Sequence, residues 1–170
     1  MLETHPFPPF IPPHARYLLL GSFIARKFGQ SSYDWYYSNG RNQFWNILEA
    51  VYHCKLDTIS LRKELFIKLS LGVTDLIYQC DRKLQNSADT SLVNCTYNTR
   101  AIEDIFKLNS LKKVYFTSKF VERTFKKVFK HLVTDFPDVE FVALPSPSPR
   151  YAAMSKTQKA IKYSRLLPQL

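Results

Sequence analysis

The sequence predicts a three-layer α/β/α sandwich built around a central, mostly parallel sheet of four strands. Four short apolar segments, at 17–20, 73–78, 113–117 and 140–144, alternate with stretches in which apolar side chains recur at helical spacing. Such alternation is typical of parallel strands joined by right-handed crossovers. The chain has 170 residues, of which 45% are hydrophobic, which is enough for one core and too little for two domains.

The first elements follow from local composition. Five prolines interrupt any periodic pattern in residues 1–14, which are predicted to form an extended arm, so that 15–170 is the single domain. The first strand, 17–20, ends in small residues, and a polar, aromatic loop leads to a helix that begins near Phe44. A second helix is predicted at about 60–69.

Capping and turn signals define the remaining elements. Ser60 is expected to cap the second helix, and Gly72 to end it before the strand 73–78. The polar residues 79–97 are predicted to form a long surface loop, after which Asn98 caps a third helix. Three elements complete the prediction after the strand 113–117: a basic helix at about 118–132, the strand 140–144 and a final helix from Ser155.

The charge balance points to a polyanionic partner. Lysine and arginine number 24 against 14 acidic residues, which gives a net charge of +10 and a pI near 9.6. Nucleic acid is the foremost candidate partner, and a cationic substrate is disfavoured. The alternative is a basic protein that is kept in solution by its charge.

Several classes of protein are disfavoured by what the sequence lacks. No apolar run approaches the ~20 residues of a membrane span, and no signal-peptide pattern opens the chain, so a cytosolic protein without a membrane partner is expected. Cys54, Cys80 and Cys95 form no Cys-x-x-Cys pair and are interpreted as structural or surface thiols. The histidines form no cluster, so neither a metal nor a cofactor is expected.

Two segments follow the first and last strands and are predicted to face one crevice, because ligands bind beyond the carboxyl ends of parallel strands. The first contains Gly21-Ser22-Phe23 and, further on, Tyr36-Tyr37-Ser38-Asn39-Gly40-Arg41-Asn42-Gln43-Phe44-Trp45. The second is Leu144-Pro145-Ser146-Pro147-Ser148-Pro149.

These segments resemble motifs of the uracil-DNA glycosylase superfamily, closest to its hypoxanthine-DNA glycosylase and mismatch-specific uracil-DNA glycosylase-like branch. A middle piece, 72–76 with Arg82 and Asp89, is similar to that branch as well, and the order of the motifs agrees over nearly the whole chain. The resemblance implies a uracil-DNA glycosylase-like fold. It also implies a monomeric, monofunctional DNA glycosylase of base excision repair, which acts without a cofactor on DNA containing a damaged or mismatched base. Such an enzyme hydrolyses the N-glycosidic bond of a flipped uracil or hypoxanthine and leaves an abasic site.

The resemblance also implies roles for residues of the first segment. Asn42 would be the catalytic residue, since a carboxamide can orient a water molecule against the anomeric carbon; alternatively, it only caps the following helix. Ser22, Phe23 and Tyr37 would form the base pocket. Backbone N–H groups near Ser22 would stabilise the departing base, and Tyr37 would stack on it, unless its ring only fills the core.

DNA contacts are implied mainly for the second segment. Ser146 and Ser148 would bind phosphates, and Arg150 or Tyr151 would fill the hole left by the flipped nucleotide; the alternative is a proline-rich turn before a helix. The implied DNA-binding residues are Arg41, Ser146, Ser148, Arg150, Tyr151 and Lys156, and Lys159 is a further surface lysine that could contact phosphate.

Other functions stay open on the sequence alone. A fold does not dictate chemistry, so the chain could be a catalytically inactive relative that binds DNA or RNA, or a nucleoside or nucleotide hydrolase. The strand residue Asp75 is expected to lie at a strand end or to be paired, because an isolated carboxylate is costly to bury. It is given no catalytic role.

Overall fold

The computed structural model describes residues 1–25, 34–84 and 86–170. Its strands are β1 (Leu2–Thr4), β2 (Tyr17–Gly21), β3 (Leu71–Asp75), β4 (Ile77–Arg82), β5 (Leu92–Tyr97), β6 (Lys113–Phe116) and β7 (Glu140–Ala143). Its α-helices are α1 (Phe44–Tyr52), α2 (Ile59–Lys68), α3 (Thr99–Leu108), α4 (Lys119–Val128), α5 (Lys130–Asp135) and α6 (Lys156–Leu166).

The central sheet has four parallel strands in the order β3-β2-β6-β7, which confirms the predicted four-stranded sheet. Tyr17 of β2 lies opposite Leu71 of β3 and Lys113 of β6, so the three strands begin in step. Their carboxyl ends therefore share one edge, where Gly21 lies opposite Asp75. The loops that follow β2 and β7 leave the sheet at this edge.

The side chains of β2 alternate between two cores, one on each face of the sheet. Leu19 packs with α1, α2 and α6 on one face. Leu18 and Leu20 pack with α3, α4 and α5 on the other face. Because successive strand residues point to opposite faces, this alternation produces the predicted three-layer sandwich. All five residues of β3 are buried, as expected of a strand covered on both sides.

A second sheet, antiparallel and ordered β1-β4-β5, was not predicted. The predicted strand 73–78 is in fact two strands, because the chain leaves the central sheet after Asp75 and continues as β4 in the second sheet. The segment 79–97 is largely a hairpin rather than a surface loop. Irregular register between β4 and β5 breaks the period-2 pattern that would have revealed these strands.

Several predicted helix boundaries also change. Thr58, not Ser60, caps α2 by accepting a hydrogen bond from the Leu61 N–H at 3.2 Å. Gly72 lies inside β3, where a side chain would approach Ile11, instead of ending a helix. The predicted basic helix is broken at Phe129 into α4 and α5. The start of the final helix is confirmed, because Ser155 forms a capping box with Gln158.

An aromatic stack lies in the core next to α1. The rings of Trp35 and Trp45 stack with centroids 5.7 Å apart and planes 17° apart, and both side chains are buried. The Trp45 indole N–H donates a hydrogen bond of 2.9 Å to the carbonyl of Tyr36. This bond fixes the loop before α1 to the core. In the described ranges, 1–25, 34–84 and 86–170, no helix has the length and apolar character needed to cross a membrane.

Candidate active site

The two sequence segments meet directly, which confirms that they share one edge of the sheet. The Gln43 N–H, at the start of α1, donates a hydrogen bond of 2.9 Å to the carbonyl of Pro147. The Lys159 ammonium on α6 contacts both segments, since Nζ lies 3.0 Å from Gln43 Oε1 and 3.0 Å from the Ser148 carbonyl. The start of α1 and the loop 144–149 are therefore one structural unit.

The loop that follows β2 is held through its carbonyl groups. The Leu76 N–H donates to the Gly21 carbonyl at 2.9 Å, and the Ile77 N–H donates to the Ser22 carbonyl at 3.0 Å. No hydrogen bond within the described part of the chain uses the N–H groups of Ser22 and Phe23. The role of these two N–H groups as donors to a departing base stays a prediction.

Polar side chains of the β4-β5 hairpin hold the loop that follows β2. The Ser22 hydroxyl donates to Asp89 Oδ1 at 2.5 Å. Arg82 donates to the Ile24 carbonyl at 2.6 Å through Nη2, and its Nε lies 3.0 Å from the Glu3 carboxylate. Glu3 belongs to β1, so the N-terminal residues support the loop through Arg82.

We expect Asp89→Asn to stabilise the protein at neutral pH. Burial raises the pKa of the Asp89 carboxyl, although the Ser22 hydroxyl opposes this effect. Because the folded state holds the proton more tightly, the contribution of Asp89 to stability is full below its unfolded pKa of about 3.9 and is lost as pH rises through its folded pKa. An asparagine still accepts the Ser22 hydrogen bond.

Denaturant unfolding of both proteins from pH 3.5 to 8 measures this effect. The variant should have the higher free energy of unfolding at pH 7, and the two curves should converge below about pH 4. A less stable variant at pH 7 would show that the Asp89 charge, through Arg82, supports the loop.

Asp75 and His5 form a buried pair beside Gly21. His5 Nε2 lies 2.8 Å from Asp75 Oδ2, and each side chain is only 5% exposed. Asp75 lies at a strand end and is paired, but its partner is His5 of the N-terminal arm and not one of the arginines Arg41 and Arg82 that the sequence suggests as partners. A side chain at position 21 would overlap Asp75 Oδ1 and lie 2.7 Å from the Tyr37 hydroxyl. The absence of a Cβ at Gly21 thus allows both polar groups to approach the end of β2.

Tyr37 connects Gly21 to the start of α1. Its ring packs on Phe44 with centroids 4.3 Å apart, and its backbone has a φ of 56°, in the left-handed region that tyrosine seldom adopts. Its buried hydroxyl has no hydrogen-bond partner in the described residues. Burial raises the pKa of Tyr37 well above its ordinary value, and the nearby Asp75 raises it further. One ring face is used in packing, and stacking of Tyr37 on a base stays a prediction.

Asn42 lies at the amino end of α1, half-buried. Its side-chain Oδ1 accepts a hydrogen bond of 2.8 Å from the Phe44 N–H, the first N–H of α1, although the N-cap position is Gln43, whose side chain makes no capping bond. No hydrogen bond in the described residues uses its Nδ2. The carboxamide is therefore oriented by the helix through its oxygen and keeps its NH₂ group available. Its catalytic role stays a prediction.

The loop 144–149 presents its serines in a defined way. Tyr163 donates to the Pro145 carbonyl at 2.7 Å from below the loop. Ser146 Oγ accepts from the Ser148 N–H at 3.2 Å, and Ser148 Oγ accepts from the Arg150 N–H at 3.3 Å. In the described part of the chain, neither hydroxyl donates a hydrogen bond, so each can still donate one to a ligand.

The predicted DNA-binding side chains differ in exposure. Arg41, Arg150, Tyr151 and Lys156 are exposed. Lys159 is not a surface lysine, because it is 1% exposed and its pKa is lowered by burial. The Tyr151 ring lies 5.5 Å from its ammonium. In the described ranges, no group of His, Cys, Asp and Glu side chains has an arrangement suited to a metal ion, and all three cysteines are free thiols.

The fold of this chain is similar to that of a solved protein structure. The chain is similar to a solution NMR structure of a "putative Uracil DNA glycosylase" from Methanosarcina acetivorans, with a TM-score of 0.69 and 18% sequence identity. The match covers 98% of this chain and 96% of that one. No protein-family model matches the chain, and no curated protein matches it in sequence. The likeness establishes a uracil-DNA glycosylase-like α/β fold over essentially the whole chain.

Proposed function

We propose that this protein is a monofunctional, monomeric DNA glycosylase that hydrolyses the N-glycosidic bond of a flipped deaminated base and leaves an abasic site. The observation that carries the proposal is the contact between the two segments. It brings the start of α1, with Asn42, against the loop 144–149, called the serine loop below. The fold shared with the Methanosarcina structure and the motif resemblance support the same class of reaction.

The proposed chemistry divides between two groups. Asn42, fixed through its Oδ1 to the Phe44 N–H, orients a water molecule against the anomeric carbon through its NH₂ group or through the remaining lone pair of its oxygen. The N–H groups of Ser22 and Phe23 donate to the base oxygen as negative charge develops there on bond cleavage. Phe23 has no polar side chain, so in this mechanism the loop after β2 acts through its backbone.

DNA binding in this proposal uses the exposed rim of the site. The hydroxyl protons of Ser146 and Ser148 donate to phosphates on either side of the flipped nucleotide, and Arg41 and Lys156 add charge to the rim. Arg150 or Tyr151 fills the space that the base leaves in the duplex. Extraction of the base costs a few kcal/mol, which these contacts must offset.

A single-turnover assay tests the proposed reaction. Labelled duplexes that each contain one uracil, hypoxanthine, xanthine or undamaged base are incubated with excess protein and then treated with alkali, which cleaves abasic sites. Strand breaks at one damaged base establish glycosylase activity and identify its substrate. Intact strands in spite of measurable binding would favour the inactive DNA-binding relative, whereas release from free nucleosides only would favour a nucleoside hydrolase.

DNA affinity is expected to depend steeply on salt. A protein with a net charge of +10 whose rim cations neutralise two or three phosphates releases counterions on binding, so the affinity should fall by roughly tenfold or more between 50 and 200 mM salt. Fluorescence anisotropy with an undamaged duplex measures this dependence without any need for catalysis. An affinity that stays constant over this range would contradict the phosphate contacts.

A further inference from the structure

Lys159 is a buried cation without an acidic partner. Its side chain is 1% exposed, and no carboxylate in the described residues lies within 4.0 Å of its ammonium. Its contacts are neutral: Gln43 Oε1, the Ser148 carbonyl and the ring of Tyr151. Burial of a charge in such surroundings is costly, and an apolar side chain of similar volume often stabilises a fold more.

The contacts of Lys159 show which groups its buried ammonium holds in place. Its ammonium draws the Ser148 carbonyl inward, while Gln43 N–H and Tyr163 hold the carbonyls of Pro147 and Pro145. With three carbonyls of the loop held toward the protein interior, the serine hydroxyl protons are left for an outside acceptor. Gln43 adjoins Asn42, so the same ammonium also fixes the start of α1 relative to the loop.

The position of the charge is unfavourable within the protein and favourable for an anion. The Lys159 ammonium lies next to Gln43 at the amino end of α1. That end of the helix dipole carries a partial positive charge, so it repels a cation. The charge and the dipole together raise the positive potential beneath the serine loop. Because the surroundings are poorly screened by water, this potential acts on a phosphate that binds to the loop even though the ammonium does not contact it.

We propose that Lys159 is a positioning residue for phosphate binding: it locks the serine loop onto α1, and its unneutralised charge strengthens the binding of a DNA phosphodiester to that loop. This inference rests on the proposed function only in that DNA is the ligand. It does not require base release.

The test compares Lys159→Met with Lys162→Met, which removes an exposed lysine from the same helix. Lys159→Met leaves Gln43 Oε1 and the Ser148 carbonyl without their donor and should lower the unfolding temperature modestly, so binding is compared at a temperature where both variants are fully folded. Its affinity for undamaged duplex should fall about tenfold, because the loop loses its anchor and the buried charge is removed, and its salt slope should decrease by less than the ~1 expected for a lysine that contacts phosphate directly. Lys162→Met should change either quantity much less.

Two further variants separate the charge from the hydrogen bonds. Lys159→Arg keeps both and should recover most of the affinity, whereas Lys159→Gln keeps a donor without the charge and should bind more weakly than Lys159→Arg and more tightly than Lys159→Met. In the single-turnover assay, Lys159→Met should raise the protein concentration that gives the half-maximal rate and should change the maximal rate much less, because weaker binding costs little rate at saturation.

The outcomes distinguish this inference from the proposed function. A wild type that releases no base from any duplex refutes the glycosylase, while the affinity comparison still decides the role of Lys159. The Lys159 proposal is overturned if Lys159→Met binds DNA as the Lys162 control does, if Lys159→Gln binds like wild type, or if the wild type does not bind duplex DNA at all.

Discussion

Asn42→Ala is expected to reduce the single-turnover rate of base release by roughly a hundredfold or more, with little change in DNA affinity. Loss of an oriented water molecule accounts for an effect of about this size. The same change removes the bond to the Phe44 N–H and should cost about 1 kcal/mol of stability, the usual net contribution of one hydrogen bond. The rate and the affinity are measured on the damaged duplex that the substrate assay identifies.

Asn42→Ser separates the two roles of this side chain. Serine can accept a backbone hydrogen bond at a helix start, so this variant should recover most of the stability. It has no carboxamide and should remain as slow as the alanine variant. A serine variant with the wild-type rate would sink the catalytic assignment and leave capping as the only role of Asn42.

Gly21→Ala is expected to impair both stability and base release. The added Cβ would overlap Asp75 Oδ1 and lie 2.7 Å from the Tyr37 hydroxyl. Neither neighbour can move freely, because Asp75 is held by His5 and Tyr37 packs on Phe44. Overpacking of this kind costs about 1–3 kcal/mol. The loop after β2 would then shift and move the N–H groups of Ser22 and Phe23 away from the position proposed for the base.

Gly40→Ala is the matched control for this substitution. A Cβ at Gly40 would have no described atom within 4 Å, so this variant should keep wild-type stability and rate. Thermal unfolding and the single-turnover assay are compared for both variants. If Gly21→Ala matches Gly40→Ala in both measurements, the packing of Asp75 and Tyr37 around Gly21 is not important for the site.

The central sheet could be predicted because its strands are apolar runs separated by helix-length segments. The second sheet could not, because β1 has only three residues and β4 pairs with β5 through an irregular register. The prediction also failed at Gly72. Glycine after a helical pattern normally signals a helix end, whereas here its missing side chain serves close packing inside β3.

For the candidate site, sequence reasoning could identify the segments but not the groups that join them. The motifs placed the segments of Asn42 and Ser148 at one edge of the sheet, and the hydrogen bond from the Gln43 N–H to the Pro147 carbonyl joins those segments. Lys159 was interpreted as a surface lysine, since the polar pattern of α6 gives no sign that one lysine is buried. His5 lay in a proline-rich arm without periodicity, and its pairing with Asp75 spans 70 positions of the chain. Only the folded backbone brings such distant residues together.

The stacked tryptophans provide an intrinsic fluorescence probe of the loop before α1. The sequence contains two tryptophans, and both belong to the single stack of Trp35 on Trp45, so all indole emission originates from one place in the molecule. The indole of Trp45 is bonded to the carbonyl that immediately precedes Tyr37. If Tyr37 moves when DNA binds, the tryptophan fluorescence should change. Stopped-flow fluorescence of the unlabelled protein could then follow the movement.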